Sequence, residues 1–145
     1  MSRANSTIEK QLREKGTWLF QTVGDSMEPL LHNRESTVQI TAGNADLQRF
    51  DVVLYKRPSG AYVLHRIRRI RGDRLWICGD NRVGLEKVPR AWVLGKMTGF
   101  YPGLGPEFVD CKDENHRSYV RSLPKRYAAL WIRLLPGRIH RNIMK

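Results

Sequence analysis

Three short segments hold the residues of this chain that are best suited to covalent chemistry. Ser26 lies in a Gly-Asp-Ser turn, His65 in a largely apolar run, and Asp80 in a Gly-Asp-Asn turn. A serine hydroxyl becomes an effective nucleophile when a neighbouring base takes its proton, and a carboxylate can orient that base. The three residues could therefore supply the nucleophile, the base and the orienting group of a serine hydrolase.

Each segment also has a purely structural interpretation. Both Gly-Asp-Ser and Gly-Asp-Asn are common in hydrophilic turns. His65 shares one face of an alternating segment with Val63 and Ile67, where a histidine is more often a core residue than a catalyst. Burial on that same face would keep the imidazole neutral, as a general base requires. Taken alone, the residues leave both interpretations open.

The residues around Ser26 favour a rigid and exposed hydroxyl. Gly24 permits a tight backbone geometry, and Pro29 stiffens the exit from the turn. Backbone N–H groups in such a turn can stabilise an oxyanion.

The elements that must position these residues have the pattern of strands and turns. Residues 37–41 alternate apolar and polar side chains as a half-buried strand does, and residues 57–60 and 71–74 have the composition of hairpin turns. Strands are predicted at residues 17–23, 37–41, 51–55, 61–70, 75–78 and 93–97. We therefore predict a mainly β fold of antiparallel sheets curled into a barrel.

Short helices are predicted at both ends of the chain. One covers residues 5–16, with Asn5 or Ser6 as its cap and Gly16 as its end, and a basic helix runs from Tyr127 to Leu135. Pro and Gly after Tyr101 indicate a linker. The predicted organisation is an N-terminal helix (1–16), a β catalytic domain (17–101), a linker (102–118) and a basic amphipathic tail (119–145).

Five segments, in their order along the chain, resemble the consecutive motifs of type I signal peptidases. They are residues 24–29 (Gly-Asp-Ser-Met-Glu-Pro), 50–55 (Phe-Asp-Val-Val-Leu-Tyr), 64–67 (Leu-His-Arg-Ile), 79–81 (Gly-Asp-Asn) and 95–97 (Gly-Lys-Met). The resemblance implies a serine endopeptidase with Ser26 as nucleophile. It places His65 where archaeal and endoplasmic-reticulum members have their base, and makes Asp80 the third catalytic residue.

The resemblance also implies substrate contacts. Met27 would help to wall the pocket that accepts small side chains before the scissile bond, with Gly24 and Pro29 as further substrate-binding candidates. Leu30 and Phe50 stand where the family commonly has threonine and glycine. Gly24 lacks the hydroxyl that some bacterial members direct at the oxyanion, so backbone N–H groups would have to suffice. The resemblance implies an acyl-enzyme intermediate, and we expect no metal or organic cofactor.

The charge of the chain predicts an acidic partner. The 145 residues carry 26 Lys and Arg against 14 Asp and Glu, a formal net charge of +12. Residues 125–145 combine cations with apolar residues at helical spacing. This tail could lie on an anionic membrane surface, or pack on the β domain with solvated arginines. No apolar run reaches the ~18 residues needed to cross a bilayer. We therefore expect a cytoplasmic protein without a transmembrane span, which is peripheral at the membrane if the tail binds there.

Two other functions are alternatives to the peptidase. A nucleic-acid-binding β-barrel would account for the charge and for Trp18, Trp76 and Trp92. It leaves the order of the Ser, His and Asp segments unexplained, so nucleic acid is not the expected partner. A self-cleaving repressor would pair its serine with lysine and carry a DNA-binding domain ahead of it. Only about 20 residues precede the serine motif here. The leading prediction is a peptidase that cleaves a precursor peptide or protein.

Overall fold

The computed structural model describes residues 3–134, which contain eight β-strands and two α-helices. In chain order they are α1 (Arg3–Lys15), β1 (Thr17–Gln21), β2 (Thr37–Ala42), β3 (Val52–Lys56), β4 (Tyr62–Arg71), β5 (Arg74–Cys78), β6 (Glu86–Pro89), β7 (Val93–Tyr101), β8 (Val109–Asp110) and α2 (Glu114–Leu134). The strands form one antiparallel sheet in the order β1-β2-β7-β3-β4-β5-β6, and β8 pairs with β7. The predicted mainly β fold with a helix at each end is confirmed.

The central strand β3 separates two apolar cores. Val52 and Leu54 belong to one buried cluster, whereas Val53 and Tyr55 belong to the other. A strand that is buried on both faces reads as a continuous apolar run, because neither set of alternate side chains meets water. β3 therefore holds its neighbours β4 and β7 between the two cores.

The sheet is curled but not closed, so the term barrel applies only loosely. β1 and β6 are its two ends, and α1 packs against β1 and β2. Register shifts interrupt the β2–β7, β3–β7 and β4–β5 ladders. Such irregularities bend a strand and increase its twist. The bent sheet wraps around two clusters instead of enclosing one, and its end strands remain apart.

Both helices begin earlier than the sequence predicts. α1 starts at Arg3, so Asn5 lies within the helix, while Gly16 follows its last residue with a φ of +75° as expected for a helix end. α2 starts at Glu114 instead of Tyr127. The predicted linker (102–118) therefore contains β8 and the beginning of α2.

The early start of α2 has a physical reason in its buried stripe. His116, Leu123 and Leu130 are buried at intervals of seven residues, and Tyr119 and Tyr127 are half-buried beside them. The charged residues between them and Pro124 hide this periodicity in the sequence. The predicted last helical residue, Leu135, and the rest of the tail lie outside the described residues.

Candidate active site

The β1–β2 loop (residues 22–36) and strand β4 bring Ser26 and His65 together. Nε2 of His65 lies 3.1 Å from Oγ of Ser26, which is a hydrogen-bond distance. A nucleophile and its general base need this direct contact, because the proton must pass between them as the nucleophile attacks.

The β1–β2 loop holds Ser26 through its own hydrogen bonds. Gly24 has a φ of +96°, a left-handed conformation that favours glycine, and its N–H donates to Oδ1 of Asn33 at 2.7 Å. The N–H of Leu31 donates to the carbonyl of Met27 at 2.9 Å, and both side chains are buried in the core. Ser26 is therefore held on both sides. The hydrogen bond from Gly24 to Asn33 fixes the chain before it, and the buried turn from Met27 to Leu31 fixes the chain after it.

A second support for Ser26 comes from residues 79–81. The N–H of Asn81 donates to the Ser26 carbonyl at 2.8 Å, and its side-chain amide donates to the Asp25 carbonyl at 3.2 Å. Gly79 packs so closely that a Cβ there would lie 2.4 Å from the Ser26 carbonyl oxygen. Only glycine permits this approach. The Gly-Asp-Asn segment thus positions the nucleophile through its backbone and Asn81.

His65 lies on the face of β4 that its sequence neighbours predict. It pairs with Val53 of β3, and the side chains of Val53, Val63 and Ile67 share one core cluster. The imidazole is half-buried at the margin of this cluster.

The carboxylate of Glu86 lies on the same face of β4. It accepts hydrogen bonds from the hydroxyl of Tyr55 at 2.6 Å and from Nη2 and Nε of Arg57 at 2.7 and 3.0 Å. Tyr55 is in β3 and Glu86 in β6, on opposite sides of β4 in the sheet. Their hydrogen bond therefore passes beneath β4 on the face of Val63 and His65. Sequence reasoning missed Glu86, because β6 was not predicted as a strand.

These surroundings keep His65 neutral. Burial lowers the pKa of the imidazole, the positive charge of Arg57 lowers it further, and the negative charge of Glu86 opposes the shift. The hydrogen bonds from Arg57 in turn hold the pKa of Glu86 below its usual range, so Glu86 is ionised. His65 can therefore accept a proton at neutral pH.

Asp80 has a different role from the predicted one. Its oxygens accept hydrogen bonds from Nε and Nη2 of Arg66 at 2.7 and 2.9 Å, and from the hydroxyls of Tyr119 and Tyr127 at 2.8 and 3.3 Å. The expectation that it orients the imidazole is corrected. Arg66 follows His65 on the opposite face of β4 and takes up the carboxylate, because two charges buried this deeply must pair.

We call Asp80 and its partners Arg66, Tyr119 and Tyr127 the Asp80 cluster. This cluster connects the elements that carry Ser26 and His65, the candidate catalytic dyad. Arg66 also donates to the carbonyl of Phe50 at 2.7 Å, and the N–H of Asp80 lies 3.4 Å from the sulfur of Met27. Tyr119 and Tyr127 bring α2 into the same cluster. Asp80 therefore joins the strand of the base, the turn of the nucleophile and the C-terminal helix.

A cleft of about 340 Å³ opens beside the dyad. Gly24 and Met27 line it, as predicted for substrate contacts, whereas Pro29 lines a separate groove beside α2. The remaining walls are largely apolar and come from the β1 region, β3 and β4: Phe20, Gln21, Thr22, Val23, Leu31, Leu54, Tyr62, Val63 and Leu64.

Two strand edges without a ladder partner among residues 3–134 border this cleft. Among these residues β1 pairs with β2 and with no other strand. Residues 63–65 of β4 pair with β3, and in the described part of the chain the β4–β5 ladder begins at Arg66. Free N–H and C=O groups on a strand edge can hydrogen-bond an extended peptide.

The chain matches no protein-family model, and a comparison with curated proteins gives no match either. Within residues 3–134, no helix is long and apolar enough to cross a membrane. The same residues contain no group of three or more His, Cys, Asp or Glu that could hold a metal ion.

Proposed function

We propose that this chain is a serine endopeptidase of the signal-peptidase-like class, which cleaves a precursor peptide or protein. The observation that carries the proposal is the 3.1 Å contact between Oγ of Ser26 and Nε2 of His65 at the side of a largely apolar cleft. The order of the five sequence motifs supports the same class.

The cleft suits a peptide in an extended conformation. Within residues 3–134 the β4–β5 ladder does not reach residues 63–65, so a substrate strand can extend the sheet there through main-chain hydrogen bonds. Met27 and Leu31 are buried and cannot move aside without a packing cost. A small side chain next to the scissile bond fits this wall best.

The reaction follows from the positions of the two side chains. His65 Nε2 takes the proton of Ser26 as Oγ forms a bond to the peptide carbonyl carbon, and the carbonyl oxygen becomes an oxyanion. The N–H of Ser26 has no acceptor among residues 3–134 and can donate to that oxyanion. The imidazolium then protonates the leaving amine as the C–N bond breaks. Water, activated by His65, hydrolyses the remaining ester and regenerates Ser26.

Two carboxylates have separate roles in this scheme. Glu86 lies on the His65 face, where its negative charge stabilises the transient imidazolium. Asp80 does not act on the reacting atoms, and it holds Arg66 and residues 79–81 in place. The acid that supports the base is therefore Glu86.

Labelling with a fluorophosphonate probe, which phosphonylates activated serines with loss of fluoride, tests the proposal. The wild type should be labelled and Ser26→Ala should not. His65→Gln should react about a hundredfold more slowly, since positioned general bases contribute at least that much. Ser59→Ala is a matched control, because this exposed serine lies in the turn between β3 and β4 and should leave labelling unchanged. Equal labelling of the wild type and Ser26→Ala would contradict the assignment.

A further inference from the structure

The outer face of strands β4, β5 and β6 carries four cations around one tryptophan. Arg69, Trp76 and Lys87 form one row across the three strands, and Arg71 and Arg74 form the next row. Directly paired residues point to the same side of a sheet, so all five side chains share this surface. The four cations are exposed and Trp76 is half-buried. We call this surface the basic face.

The charges of the basic face are uncompensated. None of its four cations forms an ion pair with any residue from 3 to 134, whereas Arg57 and Arg82 each contact a carboxylate. Arg71 and Arg74 lie directly opposite one another, and like charges in this position destabilise a sheet. An anion bound between them would offset that repulsion.

The basic face adjoins an open strand edge that leads towards the dyad. β6 is the last strand of the sheet formed by residues 3–134, and within these residues one side of its backbone has no partner strand. Its first residue, Glu86, binds Tyr55 and Arg57 on the face of β4 that carries His65. Its last residue, Pro89, pairs with Arg74. At about 3.3 Å per residue, β6 covers roughly 10 Å between these points. A segment bound along β6 would therefore extend from the basic face to the vicinity of the active site.

We propose that the basic face and the edge of β6 bind an acidic, extended segment of the precursor that the dyad cleaves. The proposal rests on the proposed peptidase function and adds a substrate-recruitment surface outside the cleft. Carboxylates of the segment pair with the four cations, while its backbone hydrogen-bonds to β6.

The aromatic residues favour a peptide over a nucleic acid at this surface. Proteins that bind single strands stack successive bases on several open aromatic rings. Here the ring of Trp76 is covered by Arg69 and Lys87, whose cationic groups lie 5.5 and 5.9 Å from its centroid. Trp18 stacks on Phe20 at 4.9 Å, and Trp92 packs against the core. No stacking platform for bases is formed by these three tryptophans.

Fluorescence anisotropy with a labelled Asp/Glu-rich 12-residue peptide tests the proposal, in the Ser26→Ala background so that no cleavage occurs. The basic-face variant replaces Arg69, Arg71, Arg74 and Lys87 with glutamine. The charge-matched control replaces four exposed cations elsewhere, Lys112, Arg117, Lys125 and Arg133, with glutamine. We expect the Kd to rise at least tenfold in the basic-face variant and by less than twofold in the control. Higher salt should weaken wild-type binding.

Two outcomes would overturn the proposal. Equal weakening in both variants would mean that the peptide responds only to net charge. Tighter binding of an oligothymidylate than of the peptide, lost in the basic-face variant, would identify a nucleic-acid surface instead. Neither outcome affects the labelling of Ser26, so this proposal and the peptidase assignment can fail separately. With a cleaved precursor that carries an acidic segment, the basic-face variant should raise KM about tenfold and leave kcat unchanged.

Discussion

Strand β4 contains two kinds of arginine, and their difference separates the two functional surfaces of the molecule. The side chain of Arg66 is 1% exposed and donates to both oxygens of Asp80. Arg69 and Arg71, only three and five residues further along, are exposed and form no ion pair within residues 3–134. The same residue type therefore has opposite surroundings in the middle and at the C-terminal end of one strand.

Burial and pairing decide which cations can bind an anionic ligand. A buried guanidinium has lost its water and must keep its carboxylate partner, so Arg66 is committed to holding the site together. An exposed and unpaired guanidinium keeps its hydration and remains available to an incoming anion. The net charge of +12 thus does not act as a uniform field, because only part of it is free.

The largest expected effect is the loss of the buried pair. Asp80→Asn leaves the buried guanidinium of Arg66 without its charge partner, and breaking such a pair costs about 3–5 kcal/mol. We expect the free energy of unfolding, measured by urea denaturation, to fall by about that amount. Arg69→Gln, at an exposed position of the same strand, should change it by less than about 0.5 kcal/mol.

Removing a single hydrogen-bond donor of Asp80 should lower the free energy of unfolding by a smaller amount. Tyr119→Phe and Tyr127→Phe each remove one hydroxyl donor while keeping the ring, and should cost about 1 kcal/mol apiece. Tyr101→Phe serves as the control, because its hydroxyl is outside the cluster. If Asp80→Asn were no more destabilising than Arg69→Gln, the distinction between committed and free cations would fail.

The sequence could predict six of the eight strands in residues 3–134, all but β6 and β8, and the placement of His65, since these depend on local alternation. Val63, His65 and Ile67 lie on one face because side chains alternate along any strand. The approach of Ser26 to His65 depends on long-range pairing, and only the order of the motifs, through the resemblance, indicated it. From periodicity alone, Ser26 would be assigned to a structural turn and His65 to the hydrophobic core.

The partners of the acidic residues could not be predicted in the same way. Asp80 is bound by tyrosines from α2, a helix whose polar first half conceals its buried stripe. Glu86 reaches Tyr55 across β4, which requires knowledge of the strand order and the curl of the sheet. Such contacts follow from tertiary packing and leave no local pattern. A carboxylate in a turn is therefore a weak guide to which base it serves.

The second prediction concerns the charges beside His65. Arg57→Gln removes a positive charge that lowers the pKa of His65, and it also releases Glu86, whose negative charge raises it. Both changes act in the same direction, so the pKa should rise. Since only the neutral imidazole accepts the proton of Ser26, the acid limb of the labelling rate should move to higher pH.

Glu86→Gln is the matched opposite of this variant. It removes the negative charge and leaves Arg57 in place, so the acid limb should move to lower pH and the plateau rate should fall. The pH dependence of fluorophosphonate labelling measures both variants. If the acid limb moved in the same direction in both variants, the Arg57–Glu86 pair would not act on His65 through its charges.

The smallest expected effect is at the end of α2, where one helix repeats the contrast found along β4. Tyr127 and Leu130 pack on the body of the protein, whereas Trp131 and Leu134 are 52% and 51% exposed beside the exposed Arg133. Exposed apolar residues next to cations suit an anionic bilayer surface. Trp131→Ala with Leu134→Ala should weaken sedimentation with phosphatidylserine-containing vesicles roughly fivefold, equivalent to about 1 kcal/mol of buried apolar area.

Neither side chain touches the dyad, so labelling of Ser26 should be unchanged. Unaltered vesicle binding would leave these two side chains without a membrane role.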